Sequence, residues 1–200
     1  MPGTQSLEGL VFLSALALAL RASTIFEIGT YNGLSTWCLA ENAPDQAAVH
    51  TLDLSPEEAP QLRIETRDED TRRRFARRIF DVLPPSARVI DHWGDSATFD
   101  FTPFYGRCQL VYVDGAHSEQ YVRSDTEHAL RMLALDGAVV WDDYVREVEG
   151  VRPVLDSRSD LWRRRVPGTR LVLHLTPAAR ERLQATTDEP SDAFTLGNSS

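Results

Sequence analysis

The chain contains no lysine. Its 21 basic residues are all arginine, they face 30 Asp plus Glu, and the formal net charge is -9. The absence of lysine excludes lysine-based mechanisms and otherwise reads as a coding bias of the source. The negative balance argues against nucleic acid and anionic membrane as partners, because phosphate backbones and anionic headgroups need a basic face. Cysteine is scarce as well. Cys38 and Cys108 are too few for a disulfide framework and lack metal-ligand spacing. Long apolar runs are missing. The longest, Leu10 to Leu20, is broken only by Ser14 and is too short to span a bilayer. Glu8 stands where a signal peptide would carry basic residues. A cytoplasmic protein is expected, with Leu10 to Leu20 forming a helix that packs on the core or on a second copy of the chain, as in a homo-oligomer.

What is present fits one soluble domain: 200 residues, 42% hydrophobic and 26% charged. Strand and helix signals alternate. Leu7 to Ala22 reads as a helix, and Thr24 to Gly29 as a buried, β-branched strand ending at a glycine. Gly33 to Asn42 reads as a helix and Val49 to Asp53 as a strand. Residues 55 to 85 hold a polar segment and a helix, with Asp68, Glu69 and Asp70 ahead of Arg72 to Arg78, an order that suits the helix dipole. The arginines there form either a solvated face or an anion site. Ala87 to His92, Gln109 to Asp114 and Ala138 to Asp142 read as further strands. Between the last two lies a helix, Glu119 to Leu135, stopped by Asp136-Gly137. Leu161 to Val166 and Arg170 to Leu175 flank Pro167-Gly168-Thr169 as a hairpin. Residues 1–184 are expected to form a single domain and 185–200 a loose tail. The pattern implies an α/β fold with an open, mostly parallel sheet and helices on both faces. In such sheets, ligands bind at the carboxyl ends of the strands.

Those strand ends carry chemistry-bearing residues. Glu27-Ile-Gly29-Thr30-Tyr31-Asn-Gly33 follows the first strand; its glycines allow a tight turn and close approach of backbone amides to a ligand. Tyr31 stands where a dinucleotide fingerprint has its middle glycine. Asp53 ends the second strand and can accept from ribose hydroxyls or serve as a turn residue. Gly94-Asp95-Ser96 follows the third and can hold an adenine amino group or form a turn. Together they outline an adenosine site. Asp114-Gly-Ala-His117 follows the fourth strand and Asp142-Asp143 the fifth. Converging carboxylates raise one another's pKa, a conflict that a hard divalent cation resolves. Adjacent strand residues point to opposite faces, so Asp142 and Asp143 reach one ion only if the strand has ended before them. Alternatively, Asp143 caps a helix or pairs with an arginine. His117 is either a general base near neutral pH or an exposed histidine at a helix start. Tyr105, Trp141, Tyr144 and Trp162 either shape an acceptor pocket or belong to the core.

The order EIGTYNGLST, VHTLD, GDSA, LVYVDGAHSEQYVRSD and VVWDDY resembles class I S-adenosylmethionine-dependent methyltransferases over Leu7 to Leu175. More narrowly, it is similar to the metal-dependent O-methyltransferases of sugar tailoring and the cephalosporin-hydroxylase-like proteins. The resemblance implies a Rossmann-like, seven-stranded, mostly parallel sheet whose seventh strand is inserted antiparallel after the 167–169 turn. It implies S-adenosylmethionine held by Glu27, Gly29, Thr30, Tyr31, Gly33, Asp53, Asp95, Ser96 and Asp114. It further implies Mg²⁺ held by Asp114, Asp142 and Asp143, with His117 deprotonating the hydroxyl of a small-molecule acceptor. Catechol-type relatives carry a Lys near the place of His117 and an Asp-Asn pair where this chain has Asp142-Asp143, which sets the chain nearer the sugar-tailoring branch. Two other readings share parts of this pattern: a nicotinamide-dependent oxidoreductase, and a non-catalytic S-adenosylmethionine-binding protein.

Overall fold

The computed structural model describes residues 5–55 and 78–188. Its helices are α1 (Leu7–Ala19), α2 (Leu34–Asn42), α3 (Ile79–Val82), α4 (Glu119–Met132), α5 (Val151–Asp156) and α6 (Pro177–Asp188). Its strands are β1 (Thr24–Ile28), β2 (Ala48–Asp53), β3 (Arg88–Trp93), β4 (Cys108–Val113), β5 (Leu133–Trp141), β6 (Arg164–Arg165) and β7 (Val172–Leu175). They form one seven-stranded sheet in the order β3-β2-β1-β4-β5-β7-β6. The first five strands pair in parallel, and β7 is antiparallel to both of its neighbours. The seven-stranded, Rossmann-like expectation is therefore borne out, including the inserted last strand.

Strand alternation feeds two cores. Leu110, Tyr112, Ala138 and Val140 face one side, where they meet Leu13 and Ala17 of α1, Leu39 of α2 and Ala179 of α6. Val111, Val113, Val139 and Trp141 face the other, against Val122 and Met132 of α4 and Val154 and Leu155 of α5. A run that is apolar on both faces is what a central parallel strand requires. β1 and β4 are accordingly almost fully buried. β2 lies between β1 and β3, so residues after β1 and β4 project from a reversal of strand order, where a crevice opens.

The structure corrects one helix end, adds a helix and resolves one open alternative. The helix read as Glu119 to Leu135 stops at Met132, and Leu133 already pairs with Cys108, so Asp136-Gly137 lies inside β5 rather than at a helix stop. A β-bulge there, between Cys108 and Leu110 on the partner strand, hides the strand from a periodicity argument. A helix not read from the sequence, α6, opens at Pro177 and crosses the expected domain end. Its Ala179 is fully buried against the core. Of the two readings of Trp141, pocket wall or core, the core reading holds, at 1% exposure. Of the acid-to-base segment expected at 55 to 85, Asp68 to Arg77 lie outside the described residues, and the part that follows forms α3.

Candidate active site

The first turn after β1 is built for close approach. Gly29 has φ 98°, and a Cβ there would lie 2.0 Å from the Asp114 carbonyl oxygen, so the loops after β1 and β4 touch backbone to backbone. Only glycine tolerates both conditions. A narrow cleft beside this turn is lined by Gly29, Thr30, Tyr31, Ser35 and Asp114, and Gln5 closes it. Gln5 Nε2 donates to Asp142 Oδ2 (2.8 Å) and to the Tyr112 hydroxyl (3.0 Å). No sequence signal marked Gln5, because the contact joins residues 137 positions apart.

Glu27 sits under the turn rather than in the cleft. It is fully buried and accepts from Ser35 (2.5 Å), Thr36 and Thr51 (2.6 Å). Burial pushes its carboxyl up to about 7 despite these three hydroxyls. It clamps the first turn of α2 to β1 and β2. Asp53 ends β2 as expected. One of its oxygens is held by Arg78 Nη1 at 2.9 Å, the other caps its own neighbour Leu54. Arg78 also donates to the Tyr31 carbonyl and stacks on Trp93. Asp95 accepts from the Tyr121 hydroxyl (2.9 Å) and the Ala97 amide (2.9 Å), tying the turn after β3 to α4. Ser96 lies beside Asp125, a fully buried carboxyl that burial pushes up to about 7.

The acids after β4 and β5 do converge, in a pattern the sequence did not reveal. β5 ends at Trp141, and Asp143 adopts φ 55°, so the condition that the strand stop before the pair is met. The turn sends the two side chains in different directions. Ligand atoms of Asp114, His117 and Asp143 lie within 4.8 Å of one another. His117 Nε2 is 2.8 Å from Asp143 Oδ2. Asp142 turns back to Gln5, to the Tyr112 hydroxyl (3.3 Å) and to Arg170 Nη2 (3.2 Å), and its other oxygen accepts from the Asp143 amide. Arg170 Nη1 also reaches Asp143 Oδ1 at 2.8 Å. Arg170 lies in the β6–β7 hairpin, outside the quoted motifs, and Tyr112 lies in β4 within one of them as a strand residue; only the fold reveals their contacts with Asp142.

The electrostatics follow from this crowding. Burial, and then the neighbouring Asp142 and Asp143, hold the Asp114 carboxyl well above its usual range. Burial and Asp143 likewise raise Asp142, with Arg170 opposing. The cluster thus crowds three carboxyl groups against one guanidinium, and the oxygens of Asp114 and Asp143 match a hard divalent cation in donor type. Gly150 fixes the geometry from outside. A Cβ there would lie 2.2 Å from the His117 carbonyl oxygen, so the segment before α5 packs directly on the His117 backbone.

Among the described residues, no helix is long and apolar enough to cross a membrane. The family described as "Methyltransferase domain" matches residues 26–144, the span from β1 to the turn after β5. A catechol O-methyltransferase of Mycobacterium tuberculosis is 31% identical over 135 residues, covering 68% of this chain and 54% of that protein, so the chain spans about half the length of this curated relative. Among solved structures, an O-methyltransferase of Bacillus cereus in complex with SAH superposes with a TM-score of 0.63 at 18% identity, covering 88% of this chain and 84% of that one. The O-methyltransferase TomG of Streptomyces achromogenes, involved in tomaymycin synthesis and solved with SAM, gives 0.61 at 20% identity, covering 88% and 83%. These likenesses share the fold, and the matched family sets aside the nicotinamide alternative. With its glycine turn, strand order and acid-bearing strand ends all inside the matched span, the chain belongs to the methyltransferase domain family.

Proposed function

We propose that the chain transfers the methyl group of S-adenosylmethionine to a hydroxyl oxygen of a small molecule. The observation that carries this reading is the convergence of Asp114, His117 and Asp143 beside the glycine cleft, inside the span matched by the methyltransferase family. Bound S-adenosylmethionine supplies a methyl group already activated on a sulfonium, so the protein's main task is to align it with the acceptor. The turn Gly29 to Gly33 lines the methionine end, Asp53 takes the ribose, and Asp95 and Ser96 take the adenine. His117 accepts the acceptor's hydroxyl proton, and Asp143 holds the imidazole and stabilises its positive charge.

Asp114 and Asp143, with Asp142 behind them, are the residues that would hold Mg²⁺. When bound, the ion lowers the pKa of a coordinated hydroxyl and orients a two-oxygen acceptor. The crowding by Asp142 and Asp143 that, after burial, holds the Asp114 carboxyl above its usual range supports this reading, because a bound cation would relieve it, as does the catechol acceptor named for the curated relative. Acceptors with vicinal hydroxyls, a catechol or a sugar, are the substrate class proposed.

The test is calorimetric titration with S-adenosylhomocysteine, with and without Mg²⁺, followed by assay of vicinal diols. Binding with Mg²⁺-stimulated transfer supports the reading. No binding in either buffer overturns it, and full transfer in excess chelator removes the metal.

A further inference from the structure

In a chain of net charge -9, the hairpin carries three consecutive arginines, Arg163, Arg164 and Arg165. They border a cleft of about 370 Å³, walled also by Tyr144, Trp162 and Val172. The cleft opens at the active-site edge of the sheet. Arg165 pairs with Val172, and Val172 with Trp141, so Arg165 lies two strands from the residue that precedes Asp142. Tyr144 is the residue after Asp143, and its amide donates to the Arg170 carbonyl. One short stretch of chain therefore joins the acid cluster to this cleft.

The guanidinium groups are held by stacking more than by ion pairs. Arg165 lies 5.6 Å from the centre of the Tyr144 ring and Arg164 5.0 Å from that of Trp162. Neither has a carboxylate partner in an ion pair among the described residues. Arg163 makes a single long contact of 3.4 Å with Asp156, and its buried Nε has no hydrogen-bond partner. Tyr144 is anchored from below by its own hydroxyl bond to Asp156 at 2.5 Å. Arg164 Nη1 also donates to the Arg163 carbonyl at 3.1 Å, whereas Arg165, stacked on Tyr144, keeps its donor fork fixed and available; such forks match carboxylate and phosphate oxygens.

We infer that this cleft binds an anionic group, carboxylate or phosphate, carried by the acceptor, whose hydroxyl then lies at Asp114, His117 and Asp143. The inference rests on the methyl-transfer reading and adds a charge requirement to it. Arg165 and Arg163 engage the anion, and Tyr144 packs against the acceptor's body.

The test compares two probes, catechol and protocatechuate, a catechol bearing a carboxylate. Each is titrated calorimetrically into the full chain, with and without saturating S-adenosylhomocysteine. Protocatechuate is expected to bind at least about tenfold tighter than catechol, the range of a charge-assisted paired contact. Arg165→Gln, and separately Arg163→Gln, should reduce the ratio to about twofold or less while leaving catechol affinity in place. Arg123→Gln, an exposed position paired with Glu119 on α4, should keep the full preference and so controls for net charge. If excess inorganic phosphate erases the preference, the cleft accepts phosphate groups as well; if the preference survives phosphate, the site selects carboxylates. Equal binding of the two probes by the unaltered chain, or a preference retained in both hairpin variants, overturns the inference. Failure of S-adenosylhomocysteine to bind counts against the methyl-transfer reading alone, since the probe ratio is also read without it.

Discussion

His117 Nε2 and Asp143 Oδ2 lie 2.8 Å apart, which joins the loop after β4 to the turn after β5 in one acid–imidazole unit. A carboxylate so placed holds the ring and favours its charged form, the arrangement a base needs as it takes a proton. His117→Ala is expected to lower turnover by about two to four orders of magnitude. S-adenosylhomocysteine affinity should stay within about twofold, because the imidazole is not part of the glycine turn. Asp143→Asn should also lower turnover. Steady-state kinetics beside calorimetry separate the two effects, and a fully active His117→Ala removes the base assignment.

Gly150 supports that pair without touching the chemistry. Its Cα lies where any side chain would meet the His117 carbonyl and the Ser118 backbone. Gly150→Ala must therefore shift the His117 loop or the start of α5. Turnover is expected to fall at least about tenfold, as a displacement near 1 Å can cost even more. A lowered thermal midpoint with the sheet intact by circular dichroism would accompany it. Unchanged kinetics would mean the loop is free to move.

How much of this could be read from residues alone depended on range. The turn at Gly29, the strand before Asp114 and the hairpin at Pro167-Gly168-Thr169 are local patterns, and all three occur where the sequence places them. Leu133 to Gly137 was misread because its apolar spacing continues that of α4, and only pairing with Cys108 makes it a strand. α6 escapes a sequence reading because Arg180, Glu181, Arg182 and Gln184 give it a polar look, while Ala179 and Leu183 carry its packing on the core. At the site, the sequence named Asp114, His117 and Asp143. It could not tell that Asp142 turns toward Gln5 and Arg170, since that direction is set by the positive φ of Asp143 and by residues distant in the chain.

Asp125 gives the pH dependence one sign. Burial, aided by Asp95 and opposed by Ser96, pushes its carboxyl up to about 7 from 3.8. Between those values the folded chain keeps a proton that the unfolded chain has released. Stability from this group is therefore full at low pH and falls as pH rises toward 7. Asp125→Asn should remove that loss. The variant is expected to be more stable than the parent above pH 7, by up to something on the order of 4 kcal/mol, and to lose the advantage near pH 4. Denaturant unfolding across the range measures it; a constant difference at all pH values would refute the buried-acid account.

His50 gives the opposite sign. Its Nδ1 lies 3.0 Å from Nε2 of His92, and both rings stack near Phe26. Burial, then His92 and Arg88, bring the His50 pKa down to about 4. Here the unfolded chain binds the proton first, so stability is full above about 6.5 and is lost as pH falls toward 4. His50→Phe keeps the ring and removes the titration. It should flatten the acid limb of the stability profile, while Asp125→Asn leaves that limb steep. An acid limb unchanged in His50→Phe would place the loss elsewhere.

Arg170 offers a test of the charge balance itself. It is the one guanidinium reaching both Asp142 and Asp143, at 3.2 and 2.8 Å, among the described residues. Arg170→Met keeps much of the side-chain length and removes the charge, leaving Asp114, Asp142 and Asp143 to repel one another in a buried setting. The variant is expected to lose on the order of 3 kcal/mol without metal. A cation that binds the folded state alone stabilises it by mass action, so millimolar Mg²⁺ should recover more of the thermal midpoint in Arg170→Met than it adds to the parent. Na⁺ at equal ionic strength separates specific binding from screening. Equal recovery by both salts would show that the acids tolerate one another by screening, and the case for a divalent site at Asp114 and Asp143 would fall with it.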